Sequence, residues 1–125
     1  MSPALRDGLL LGSYCGLIFW LSSQPSLPAP ELFPQQDKLV HMAAYAVMGL
    51  LAWHCFAHRL PNTAWLAAAS FIFCWLYAAS DEWHQSFVPG RNADVWDWIA
   101  DSMGAAAAVL YLWLKVRPDR AIRSQ

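Results

Sequence analysis

Polar and ionisable side chains recur at helical spacing in three short segments of this chain. In the first segment, His41 follows Asp37 by four residues and precedes Tyr45 by four, so all three side chains project from one face of a helix. Asp81 and Gln85 repeat this interval in the second segment. Carboxylates, an imidazole, a phenol and an amide arranged in this way can transfer protons or bind a polar ligand.

The third segment carries a row of acidic residues. Asp94, Asp97 and Asp101 are three and four residues apart, and Gly104 and Ala108 continue the same helical face. Small residues allow neighbouring helices to approach closely. We therefore expect this face of the helix to point at other helices.

Two sets of candidate site residues follow from these segments. Carboxylates in unequal environments can divide the roles of acid and base, and an imidazole can carry a proton. The candidates for catalysis are Asp81, Glu82, Asp97, Asp101 and His41. The candidates for ligand binding are Asp37, Lys38, Tyr45, Gln85, Arg91 and Asp94.

Arg91 and His41 each allow more than one interpretation. Arg91 follows Pro89 and Gly90, and its guanidinium suits bidentate capture of a phosphate or carboxylate, although an internal ion pair with the nearby acids is the alternative. His41 could act as an acid or base, donate to a phosphate, or hold two helices together as a buried polar residue.

The sequence does not predict a metal site. His54 and His58 fall at the opposite end of their segment from His41, and His84 is expected at the membrane interface, so no trio of histidines faces one point to bind zinc. Carboxylates alone would be compatible with Mg²⁺ or Ca²⁺ without indicating either ion. No nucleophile elbow, P-loop or HExxH motif is present, so acid and base chemistry is the catalytic option. The need for a cofactor stays open.

The composition indicates that these residues are positioned inside a membrane. Of the 125 residues 58% are hydrophobic and 14% are charged, whereas soluble domains carry about 25% charged residues. Lys and Arg total 8 against 9 for Asp and Glu, giving a net charge of −1, so no basic surface is available for nucleic acid. The 3 cysteines lie in apolar stretches without CxxC spacing, which excludes a disulfide framework.

Four apolar segments approach the length that a spanning helix needs, about 20 residues. We predict an all-α integral membrane four-helix bundle forming one domain over residues 1–125, with spans at about 5–23, 39–57, 63–85 and 94–115. The first segment could be a cleaved signal peptide, but Arg6 and Asp7 give no clearly positive start and no small-residue cleavage site follows, so we expect a retained helix. The fourth span takes Asp97 and Asp101 into the membrane, which favours a paired, water-accessible site because charges facing lipid are costly.

The distribution of basic residues predicts the orientation of the bundle. Four spans place both termini and the loop between the second and third spans on one side, and that side holds six of the eight basic residues: Arg6, Arg59, Lys115, Arg117, Arg120 and Arg123. Lys38 and Arg91 lie on the other side. Since basic loops stay in the cytoplasm, both termini are predicted to be cytoplasmic and the polar cluster is predicted to face outward.

Together the three segments resemble a known family. They read DKLVHMAAY (37–45), DEWHQSFVPGR (81–91) and DVWDWIADSMG (94–104), and in this order and spacing they are similar to the VanZ-like family of small bacterial membrane proteins. The residues that match the family pattern are Asp37, Lys38, His41, Tyr45, Asp81, Glu82, Gln85, Phe87, Pro89, Arg91, Asp94, Asp97 and Gly104. Asp101 departs from it, because many members have Asn at that position.

The resemblance implies a protein of the bacterial cytoplasmic (inner) membrane that acts on the cell envelope. The family takes its name from a protein that gives low-level resistance to teicoplanin, a lipid-anchored antibiotic. The resemblance does not supply a reaction.

Three functions are compatible with these observations. In the first, an outward-facing polar site binds a lipid headgroup, a lipid-linked glycan or a lipopeptide, so the partners are membrane lipids or lipid-linked envelope precursors. In the second, the protein is a membrane-embedded acid/base hydrolase or transferase acting on a lipid-linked glycan or polyprenyl phosphate. In the third, the charges pair helices within a larger complex. The oligomeric state is not indicated.

Overall fold

Four helices make up the part of the chain that the structure describes. The computed structural model describes residues 1–25 and 30–123, with side chains up to residue 116. The helices are α1 (Pro3–Ser22), α2 (Gln36–Ala57), α3 (Thr63–Gln85) and α4 (Val95–Arg123). No strand occurs in these described residues, so the prediction of an all-α protein with four helices is confirmed.

All four helices are long and apolar enough to cross a membrane. The spanning lengths are Pro3–Ser22, Gln36–Ala57, Thr63–Gln85 and Val95–Val116. Large apolar side chains are exposed along the helices, among them Leu9, Leu17, Ile72, Leu76 and Leu110. Such a surface would be unfavourable in water and is suited to lipid, because a helix satisfies its own backbone hydrogen bonds. The chain is therefore a multi-pass membrane protein.

The first two helices begin earlier than the sequence predicted. α1 starts at Pro3, a favoured first helical position, and Ser2 caps it by accepting a hydrogen bond from the backbone N–H of Leu5 at 3.3 Å. α2 starts at Gln36, so its polar first turn, including Asp37, is helical. An acidic residue in the first turn stabilises a helix by interacting with the positive end of its dipole. The hydropathy used to predict the span does not include this effect.

α4 differs from its predicted span at both ends. Asp94 precedes the helix and caps it, because its Oδ1 accepts a hydrogen bond from the backbone N–H of Trp96 at 2.9 Å. The helix continues to Arg123, beyond the predicted end at residue 115. Apolar length marks the part of a helix inside the bilayer and not the last helical residue, which explains this difference. The side chains of residues 117–123, including three of the arginines used to predict orientation, lie outside the described part of the chain.

Glycines allow α2 and α4 to approach each other closely. A Cβ atom added to Gly104 would overlap the backbone carbonyl of Met42, and one added to Gly49 would lie 3.1 Å from the backbone oxygen of Ala105. The predicted small-residue face of α4 is therefore confirmed as a packing surface. It holds the acidic start of α4 against the start of α2.

The helices alternate in direction, so one end of the bundle collects the polar residues. At that end, Lys38 near the start of α2 contacts Asp94 before α4, and Tyr45 of α2 contacts Asp81 near the end of α3. At the opposite end, Nε2 of His58 lies 2.8 Å from Oδ2 of Asp7 in the first turns of α1. We call the end that contains Lys38 and Asp81 the polar end. Which side of the membrane it faces stays a prediction.

Candidate functional site

A lysine at the centre of three carboxylates joins α2 to the start of α4. Nζ of Lys38 lies 2.5 Å from Oδ1 of Asp97, 2.9 Å from Oδ2 of Asp94 and 3.2 Å from Oδ2 of Asp37. The hydrogen bond from Lys38, together with that from the backbone of Trp96, lowers the pKa of Asp94 below its ordinary value. The ammonium group has three donors, and each has a carboxylate partner here.

Beside this ion cluster, one histidine lies between two acids of α4. Nδ1 of His41 is 2.9 Å from Oδ1 of Asp101, and its Nε2 is 3.9 Å from Oδ2 of Asp97. Asp101 is completely buried, and its second oxygen, Oδ2, has no hydrogen-bond partner among the described residues. The arrangement fixes the imidazole ring by a hydrogen bond at one nitrogen, as acid/base catalysis and metal binding both require.

Glu82, from α3, lies close to His41 and Asp101. Its side chain is 8% exposed, and Oε2 accepts a hydrogen bond from the backbone N–H of Asp94 at 2.9 Å. Oε1 is buried and has no hydrogen-bond partner in the described part of the chain. Donor atoms of His41, Glu82 and Asp101 all lie within 4.8 Å of one another.

A hydrogen-bonded group on the other side of His41 connects α1, α2 and α3. Tyr45 donates from its hydroxyl to Oδ2 of Asp81 at 3.5 Å. Nε2 of Gln85 lies 3.4 Å both from the same oxygen and from Oγ of Ser22. Tyr45, Asp81, Gln85 and Ser22 are all buried.

Ser22, Tyr45, Asp81 and Gln85 form one wall of a cleft of about 350 Å³ at the polar end. Its apolar lining comes from Ile18, Leu21, Val40 and Ala44. Its polar lining comes from Ser22, Glu31, Gln36, Asp37, His41, Tyr45, Asp81, Gln85 and Arg91. A cavity of this size and mixed character suits a small polar group attached to an apolar chain.

Arg91 enters the cleft from the loop between α3 and α4. Gly90 has φ of 81°, and a Cβ there would lie 3.1 Å from the backbone oxygen of Pro25, so the turn requires glycine. Nε of Arg91 is buried without a hydrogen-bond partner, and no described carboxylate lies within ion-pair distance of the guanidinium. The internal ion pair considered from sequence is therefore not seen in the described residues.

The predicted site residues all lie at the polar end, in two adjoining groups. Those that line the cleft are Asp37, His41, Tyr45, Asp81, Gln85 and Arg91. Those that pack behind it, between the helices, are Lys38, Glu82, Asp94, Asp97 and Asp101. Their roles in catalysis or binding stay predictions.

The contribution of α1 to the site was missed from sequence. Ile18, Leu21 and Ser22 line the cleft, yet the sequence assigned the site to the other three helices. A polar residue in the last turn of the first apolar run, Ser22, was the available signal. Its contact with Gln85 depends on which face of α1 packs inward, and the spacing along α1 does not reveal this.

Two of the other histidines lie at the opposite end of the bundle, as expected, and the third contacts α1. Nδ1 of His54 is 2.8 Å from the backbone oxygen of Leu50, and His58 contacts Asp7. The ring of His84 stacks on the ring of Phe19, with 4.4 Å between the ring centroids. The sequence prediction weighed a histidine trio and an all-carboxylate set, but the donor set that the helices assemble is mixed.

Four apolar helices with a polar cleft at one end define a membrane protein. The sequence model of the VanZ/LLP1 family matches residues 9–116, which is most of the chain, and the protein belongs to that family. The resemblance inferred from the three segments is therefore confirmed. Comparison with curated proteins and with solved structures gives no significant match.

Proposed function

We propose that this protein binds the polar headgroup of an envelope lipid, a lipid-linked glycan or a lipopeptide in the cleft at the polar end. The observation that carries the proposal is the guanidinium of Arg91, which lines the cleft with a buried Nε that no described residue satisfies. A buried donor without a partner is costly, and an anionic headgroup would satisfy it. An apolar wall beside the guanidinium favours an anion that carries a hydrocarbon chain.

The remaining polar lining suits hydroxyl groups. Asp81 and Gln85 lie in the cleft with Glu31 and Asp37, and carboxylates accept hydrogen bonds from sugar or glycerol hydroxyls. Lys38 was a candidate anion donor, but its ammonium contacts Asp37, Asp94 and Asp97. Arg91 and His41 are therefore the donors in this proposal, and Lys38 positions the acids behind the cleft.

The orientation and location form part of the proposal. The excess of basic residues at the chain ends and in the loop after α2 favours cytoplasmic termini and an outward-facing cleft in the bacterial inner membrane. Membership of the VanZ/LLP1 family supports a role at the envelope. The family's association with resistance to teicoplanin, a lipid-anchored antibiotic, supports a ligand that carries an apolar chain.

Binding of phospholipids and polyprenyl phosphates to the protein in detergent tests this proposal. We expect saturable binding, weakened at least tenfold in Arg91→Ala, since a hydrogen bond to a charged group contributes about 1.5–3 kcal/mol. Arg59→Ala is the matched control, because Arg59 is an exposed arginine at the opposite end of the bundle. Equal affinity in Arg91→Ala and the wild type would contradict the proposal.

A membrane-embedded hydrolase or transferase is the second candidate, and the pairing of His41 with Asp101 favours it. A wholly buried carboxylate 2.9 Å from Nδ1 of an imidazole that lines the cleft is the arrangement that orients a general base. Product should then form from a lipid-linked glycan or polyprenyl phosphate, and His41→Gln and Asp101→Asn should abolish it while the fold is kept. Full activity in both variants would exclude this assignment.

A further inference from the structure

We infer that His41, Glu82 and Asp101 bind a divalent transition-metal ion between α2, α3 and α4. Each residue offers a donor atom, and these atoms all lie within 4.8 Å of one another. One residue comes from each of three packed helices, so the donors are held by rigid elements. The inference goes beyond lipid binding, and it is tested without added lipid.

Two unsatisfied oxygen atoms distinguish this cluster from an ordinary group of acids. Asp101 is 0% exposed and Glu82 is 8% exposed. One oxygen of each, Oδ2 of Asp101 and Oε1 of Glu82, is buried without a hydrogen-bond partner in the described residues. Buried carboxylate oxygens normally have partners, and a bound cation would supply the missing one for both.

The charges of the surrounding residues also favour a bound cation. Three neighbouring carboxylates, those of Asp37, Asp94 and Asp97, share the single ammonium group of Lys38. No ammonium or guanidinium lies within ion-pair distance of Glu82 or Asp101 among the described residues. A divalent ion would balance these two charges inside the membrane span, where unpaired charges are expensive.

The donor set selects the class of ion. Two carboxylates and one imidazole form a mixed oxygen and nitrogen site, which suits Mn²⁺ or Zn²⁺ better than Mg²⁺ or Ca²⁺, since the latter prefer oxygen alone. Two ligands bound to one ion at about 2.1 Å lie at most about 4.2 Å apart. Donor atoms as far apart as 4.8 Å must therefore approach each other by at least about 0.6 Å to coordinate one ion.

The groups around the cluster fit this role. Oδ1 of Asp101 already contacts His41, and Oε2 of Glu82 is held by the backbone N–H of Asp94 at 2.9 Å. Such contacts orient first ligands and leave their second oxygen available. His41 also lines the lipid cleft, so an ion at this place would add a positive centre next to the proposed headgroup.

Loading the full-length protein in detergent with Mn²⁺ and Zn²⁺, with no added lipid, tests the inference. We expect one ion per chain by elemental analysis after desalting. Bound Mn²⁺ should show nitrogen coupling from one imidazole in pulsed electron paramagnetic resonance. This spectrum needs only the wild-type protein, so it does not depend on whether variants fold.

Matched variants then assign the ligands. Asp101→Asn and Glu82→Gln should weaken Mn²⁺ binding at least tenfold, and His41→Gln should remove the nitrogen coupling. Asp7→Asn and His54→Gln are the controls, because Asp7 is a buried acid at the opposite end of the bundle and His54 is a histidine at the other end of α2. Absence of stoichiometric binding, a Mn²⁺ spectrum without nitrogen coupling, or an equal loss in Asp7→Asn would overturn the inference.

Discussion

At the scale of single residues, Lys38 has the clearest structural role. Its ammonium is the shared partner of Asp37, Asp94 and Asp97, and the Lys38 side chain is 25% exposed. We expect Lys38→Met to lower the free energy of unfolding by about 2 kcal/mol, because it leaves a part-buried carboxylate unpaired. Thermal unfolding in detergent measures this effect. Lys115→Met, at an exposed lysine near Tyr111, should leave the stability unchanged, and equal melting of Lys38→Met and wild type would refute the assignment.

The ion pair between Asp94 and Lys38 also predicts that the stability of the fold depends on pH. Its pKa is lowered from 3.8 in the folded protein, chiefly by Lys38. A lowered pKa means that the contact stabilises the fold at pH values above 3.8 and that this contribution is lost as the pH falls through the folded-state pKa. We therefore expect Asp94→Asn to show a weaker loss of stability than the wild type on acidification below about pH 4. Parallel acid unfolding curves for the two proteins would contradict this expectation.

At the scale of helices, Gly104 decides how closely α2 and α4 pack. Since a Cβ there would overlap the backbone of Met42, Gly104→Ala should push the helices apart and cost about 1–3 kcal/mol. Gly12→Ala is a matched control, because a Cβ at Gly12 would meet nothing within 4 Å and alanine favours helix. Thermal unfolding in detergent should show that Gly104→Ala is less stable than Gly12→Ala. Equal stability of Gly104→Ala and Gly12→Ala would show that the close approach is not needed.

The helices themselves followed from apolar length and spacing, but their packing did not. The bounds of α3 were predicted as observed, and the row of acids on α4 was expected to face its neighbours because Gly104 and Ala108 continue it. His41, Glu82 and Asp101 were each candidates for catalysis, but their combination as a mixed set of metal donors was not predicted. Its members come from three segments, and spacing within one helix cannot give distances between helices.

At the scale of the whole molecule, the orientation in the membrane is open to direct measurement. Single-cysteine variants at Glu31 and Arg59, in a chain whose Cys15, Cys55 and Cys74 are replaced, report on opposite ends of the bundle, and both positions are exposed. We expect a membrane-impermeant thiol reagent to label Glu31→Cys, and not Arg59→Cys, in intact cells, because basic loops stay in the cytoplasm. The reverse pattern would place the cleft on the inner side.

Native mass spectrometry of the protein released from membrane nanodiscs tests the central claim most directly. If Arg91 and the apolar wall hold a lipid headgroup in the cleft, the wild type and Arg59→Ala should each retain one lipid of a defined class. Arg91→Ala should lose that lipid while keeping its fold. Retention of the same lipid to the same extent in all three proteins, or of no lipid by the wild type, would contradict the claim.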